Sequence, residues 1–180
     1  MTRRWIGPLI AGAVMVPLAW QATLLATPYA LMAAAMQKIG SGGPVNSFAF
    51  GAPATAANQP IVRPSPDLLY ASCVFDVSGG PVIVEAQAVP DTYWSISIFD
   101  ARTDVAAVRS ARDTGGASAK LALFRAGQRP PVGYDPVRLN HDKGIALIRV
   151  LADPRIDKSA FDAIDRARRT SSCRPANSAN

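Results

Sequence analysis

The amino-terminal pattern has no polar rhythm: between Arg4 and Lys38 no side chain is charged. Trp5 to about Leu25 is long enough, at about 1.5 Å per helical residue, to cross a hydrocarbon core about 30 Å thick. Backbone in lipid must satisfy its own polar groups, so the tract predicts a helix. Pro8 falls in the opening turn, where its missing N–H costs little, and Pro17 is expected to kink the span. Ala22, Ala26, Ala30 and Ala34 recur every four residues. That small-residue face fits either a partner helix or simply an alanine-rich helix.

The pattern then changes twice. Gly40-Ser41-Gly42-Gly43-Pro44 and the Ala, Pro and Asn-rich stretch to Gln59 predict a flexible linker. Beyond it, period two takes over. Leu69 to Val77 reads as strand, stops at Ser78-Gly79-Gly80-Pro81 and resumes at Val82-Ile83-Val84, predicting a hairpin around the glycines. In Thr92 to Phe99, Trp94, Ile96 and Ile98 alternate with Tyr93, Ser95 and Ser97, giving one buried and one more polar face. Thr103 to Val108, Lys120 to Phe124 and Gly144 to Leu151 read as further strands, with loops at Gly115-Gly116 and from Gln128 to Asp135. Ser159 to Arg169 alone has helical spacing here, with Phe161 and Ile164 on one face. The expected fold is mainly β, a sandwich or partly closed barrel with one C-terminal helix, preceded by a single N-terminal transmembrane helix. The expected units are residues 1–39 (transmembrane anchor and its helical extension), 40–59 (flexible linker) and 60–180 (one exported β-rich domain).

Charge sets the orientation. Arg3 and Arg4 precede the apolar tract and only Lys38 follows closely, so the amino end is expected in the cytoplasm and the chain after about residue 28 outside it. A cleaved signal peptide is the competing reading. Its apolar region runs about 7–15 residues to a small-x-small site. The run here is longer, although Ala33-Ala34-Ala35 offers a late site. The formal charge of +6 comes from scattered basic residues. Arg166, Arg168 and Arg169 cluster beside Asp162 and Asp165, which reads as a solvated helix end. Nucleic acid is therefore not an expected partner, whereas the lipid of the inner membrane is. Cys73 and Cys173 form a candidate disulfide in an oxidising compartment, against a buried free Cys73 and a mobile Cys173.

The chemistry is sparser. His141 is the single histidine and sits in the polar turn Asn140-His141-Asp142-Lys143, so an exposed loop position is expected and no metal site. No phosphate loop, dinucleotide fingerprint or nucleophile elbow is present, and no cofactor is expected. The candidate ligand-binding group is Arg63, Asp67, Tyr70, Tyr93, Trp94 and Asp100. An Asp–Tyr pair beside aromatic surface suits a polar ligand or acid–base work, while the same residues also serve as turn caps, core and rim.

Two segments carry a resemblance. Arg63-Pro64-Ser65-Pro66-Asp67-Leu68-Leu69-Tyr70-Ala71-Ser72, with Phe75 to Val82 after it, and Asp91-Thr92-Tyr93-Trp94 through Asp100-Ala101-Arg102-Thr103-Asp104 resemble the bacterial domain of unknown function 1254. The resemblance covers about residues 58 to 168 and implies a β-rich fold. Longer members of that family continue into a second β-rich domain, of unknown function 1214, so it also implies a companion membrane protein carrying that domain. The expectation is a single-pass protein of the bacterial inner membrane whose periplasmic β-domain binds a partner protein or small ligand. The alternative is an envelope enzyme, a hydrolase, with its pocket around Asp67 and Tyr70.

Overall fold

The computed structural model describes residues 3–40, 43–55, 64–153 and 155–176. The apolar tract forms one helix, α1 (Arg3–Gly40), which runs through Pro8, Pro17 and Pro28. It is long and apolar enough to span a membrane. Its hydroxyls are satisfied internally: Thr23 Oγ1 donates to the Ala19 carbonyl at 2.8 Å and Thr27 Oγ1 to the Thr23 carbonyl at 2.7 Å.

Period-two alternation then builds two sheets. β1 (Phe48–Phe50), β2 (Leu68–Asp76), β4 (Trp94–Asp100), β5 (Val105–Ser110) and β8 (Lys143–Leu151) form a five-stranded sheet in the order β1-β2-β8-β4-β5. β3 (Val82–Ala86), β6 (Ala119–Phe124), β7 (Asp135–Arg138) and β9 (Ser172–Pro175) form a four-stranded sheet in the order β7-β6-β3-β9. The outcome is the sandwich of the two expected forms, and the sheets do not close into a barrel. Leu69, Ala71, Cys73 and Phe75 of β2, Trp94, Ile96 and Ile98 of β4, and Ala146, Ile148 and Val150 of β8 point between the sheets. Val82, Val84, Leu121 and Leu123 meet them from the second sheet. The helix α2 (Lys158–Arg169) is capped by Asp157, whose carboxylate accepts from the Ser159 backbone N–H.

The disulfide is present. Cys73 on β2 is bonded to Cys173 on β9, so the bridge joins one sheet to the other across the core.

Four features differ from the expected pattern. The glycine turn after β2 is not a hairpin, because β2 and β3 belong to different sheets. The Val77 N–H bonds to the Asp142 carbonyl and the Pro81 carbonyl accepts from the Ala176 N–H, so the chain arches over the core edge. β7 begins at Asp135, the last residue of the expected loop, and continues through residues for which no strand is expected. It pairs parallel to β6 at a sheet edge, where Pro136 is tolerated because no partner needs its missing N–H. Within the expected linker, Phe48–Phe50 pairs antiparallel with Ala71–Cys73, while residues 56–59 lie outside the described ones. Finally, Arg168 is not part of a solvated helix end: it is 1 % exposed. Its guanidinium reaches Asp165, the Gly51 carbonyl just past β1, and the Tyr70 carbonyl, which also accepts the Gly51 N–H.

Gly144 marks a close approach. A methyl group there would run into the Phe99 carbonyl oxygen and the Phe75 ring. Gly144→Ala is expected to cost about 2–3 kcal/mol through displacement of the β4–β8 ladder, read as a lower denaturation midpoint.

Candidate functional site

The six sequence candidates do not converge. Arg63 lies outside the described residues. Asp67 is exposed in the turn before β2, and its carbonyl accepts from the Ala152 N–H. The Tyr70 hydroxyl accepts the Ser65 N–H at 2.9 Å, tying that turn to the strand. Tyr93 is exposed, with the Arg112 guanidinium 5.9 Å from its ring centroid. Trp94 is core, 1 % exposed, and presents no stacking surface. Asp100 lies at the far end of β4, opposite Gly144, whereas Tyr70 lies opposite Arg149. At about 3.4 Å per strand residue that separates the two by about 17 Å along β8.

Two arrangements replace the single cluster. In the first, Asp100 is buried and its Oδ2 sits 3.0 Å from His141 Nδ1, while its Oδ1 accepts the Arg102 N–H at 2.8 Å. His141 Nε2 meets the Tyr29 hydroxyl of α1 at 3.2 Å, and the two rings pack edge to face with centroids 5.6 Å apart. Arg102 lies over the same Tyr29 ring, 5.8 Å from its centroid. The histidine does sit in its loop, but it is half-buried and engaged on both nitrogens. With Nδ1–H donated to the carboxylate, Nε2 accepts from the phenol. No local pattern announces this chain of contacts, because Tyr29 lies 112 residues away inside an apolar helix.

The second arrangement is a polar row across the outer face of the five-stranded sheet. Register aligns Tyr70 of β2, Arg149 of β8, Ser95 of β4 and Ser110 of β5. Arg149 Nη2 donates to Ser97 Oγ at 3.0 Å. Its Nε is shut away from solvent without a hydrogen-bond partner. Among the described residues no carboxylate lies within salt-bridge distance of it. The available sequence signal was a lone arginine inside the otherwise apolar run from Gly144 to Leu151.

Other carboxylates are structural. Burial pushes the Asp76 carboxyl up, but hydrogen bonds from Ser78 and the Lys143 ammonium hold it below the usual carboxylate range. Asp153 is held lower, at about 2, by Arg155. A cleft of about 180 Å³ opens beside Asn46, Asp76 and the Gly79–Pro81 arch, smaller than the usual small-molecule site. Among the described residues no group of three or more His, Cys, Asp or Glu side chains is placed to hold a metal ion.

Comparison with known proteins supplies a family and a fold. The family model described as protein of unknown function (DUF1254) matches residues 45–175. The crystal structure of the VPA0106 protein from Vibrio parahaemolyticus is similar, with a TM-score of 0.71 at 18 % identity over 89 % of this chain. An uncharacterized protein from Burkholderia cenocepacia aligns over 79 % of this chain at 18 % identity, with a TM-score of 0.42. The chain spans 38 % of the first structure's length and 46 % of the second's. No curated protein matches it.

Proposed function

The chain belongs to the DUF1254 family, and for this member we propose a binding module of the bacterial envelope, held in the inner membrane by α1 with its β-sandwich in the periplasm. The observation that carries the reading is the docking of the end of α1 onto the sandwich. Met32 is 5 % exposed, Tyr29 meets His141, and Gly40 approaches Val74 on the outer face of β2. Cleavage after Ala35 would cut through this packed segment, so the contacts favour a retained anchor over a removed signal. The disulfide fits an oxidising compartment.

The partner we assign is a companion membrane protein carrying a domain of unknown function 1214. In support, the similar Vibrio structure extends well beyond the shared fold, since this chain covers only 38 % of it. Detergent-solubilised membranes, cross-linked before extraction, are expected to yield that companion with the full chain; repeated recovery of the chain alone would sink the pairing. A hydrolase centred on Asp67 and Tyr70 has less support, because one group is exposed and the other secures a turn.

The Tyr29–His141–Asp100 contacts are read as the joint between tether and module. Asp100→Ala is expected to cost about 1–3 kcal/mol, since it strands the imidazole and the Arg102 N–H. Hydrogen exchange across residues 29–40 should accelerate in the variant. Unchanged protection there would show that the joint does not hold the helix.

A further inference from the structure

The geometry points to Arg149 as a carboxylate-binding centre on the outer face of the five-stranded sheet, receiving an acidic side chain of a partner protein. The inference rests on the binding-module reading and names the chemistry of its contact face.

A half-buried guanidinium on the central strand of a sheet is costly to leave without a counter-charge. Arg149 is half-buried, its Nε has no partner, and Ser97 Oγ takes only one of its five N–H groups. Ser97 also fixes the plane of the fork, so the outward N–H groups are already oriented before a ligand arrives. The adjacent neighbours add donors: Ser95 lies beside Arg149 in register, and the Tyr70 hydroxyl, which accepts from Ser65, keeps its own proton to donate. The carboxylate at the far end of the row, Asp113, is already taken up by the Ser110 N–H and hydroxyl. A single guanidinium without a described carboxylate in salt-bridge distance, flanked by neutral hydroxyl donors, matches one carboxylate better than a doubly charged phosphate.

The surroundings suit a protein ligand. Tyr93, Val108 and Leu151 share this face by strand alternation and register, and each is more than 40 % exposed. A desolvated arginine ringed by aromatic and aliphatic surface is the usual composition of an interface centre.

The test uses the full chain in detergent micelles, melted at fixed ionic strength and followed by near-ultraviolet circular dichroism. The probe is acetyl-Leu-Glu-Leu-amide, with acetyl-Leu-Gln-Leu-amide and inorganic phosphate as controls. The glutamate peptide is expected to raise the melting temperature by about 3 °C at a tenfold excess over its Kd, and the controls by less than a third of that. Arg149→Met should melt at or above the unliganded native protein, because an uncompensated charge has been removed, and should not respond to the peptide. Arg149→Lys keeps the charge without the fork and should need at least tenfold more peptide for the same shift. Equal shifts with the glutamine peptide, or a larger shift with phosphate, would overturn the carboxylate assignment. An Arg149→Met protein that melts well below the native one would assign the arginine a structural role and overturn the site. None of these results bears on membrane anchoring, which fractionation reads separately.

Discussion

Replacing both cysteines, as Cys73→Ala with Cys173→Ala, is expected to lower the unfolding free energy of the β-domain by about 4–5 kcal/mol. The bridge closes a loop of 100 residues, and most of its effect lies in the open chain it forbids. It also ties β9, an edge strand of only four residues, to the interior strand β2 of the opposite sheet. Without it, β9 keeps the ladder from Val82–Glu85 to Ser172–Pro175 and little else. Denaturant titration of the full chain should show a lower midpoint for the double variant. Alkylation of untreated periplasmic protein should find no thiol, and two reactive thiols would contradict the bridge.

Arg168→Ala carries the second large effect, about 3–5 kcal/mol. The side chain is fully enclosed and joins α2 to the β1–β2 ladder through Asp165, the Gly51 carbonyl and the Tyr70 carbonyl, with the Phe50 ring 5.6 Å from the guanidinium carbon. Truncation leaves Asp165 with Arg169 alone and removes the arginine donor from the Gly51 carbonyl, while the Tyr70 carbonyl keeps the Gly51 N–H. The same pair predicts acid sensitivity. Burial pushes the Asp165 carboxyl up, but hydrogen bonds from Arg169 and Arg168 outweigh it and hold it below the usual range. A carboxylate with a depressed folded pKa stabilises fully above its ordinary pKa near 4, and that contribution is lost as the pH falls through the lowered value. Asp165→Asn should therefore be less stable at pH 7 and show a flatter decline below pH 4, measured as denaturation midpoint against pH.

The long strands were legible because each keeps strict alternation. Leu69, Ala71, Cys73 and Phe75 face one way, and Trp94, Ile96 and Ile98 do the same two strands across the sheet. The short edge strands were not. β7 carries Pro136 and β9 ends in Pro175, and proline marks turns and edges alike. Which sheet a strand joins is a long-range choice, so the turn at Gly79-Gly80 looked like a hairpin and is an arch. The same limit governs the site. Asp100 and Tyr70 were read as chemically useful residues, yet only pairing register shows that they sit at opposite ends of β8. Arg149 acquires meaning from the serines that an adjacent strand brings beside it, and His141 from a tyrosine on α1.

The central claim is that a retained helix holds the sandwich on the periplasmic face of the inner membrane. Alkaline phosphatase fused after Asn180 and expressed in an enterobacterial host tests it directly, alongside a matching fusion to a fluorescent protein that matures only in the cytosol. The account predicts an active phosphatase that stays with the membrane pellet after high-salt and carbonate washing, and a dark fluorescent fusion. An inactive phosphatase with a bright partner fusion, or active phosphatase released in the soluble periplasmic fraction, would contradict it.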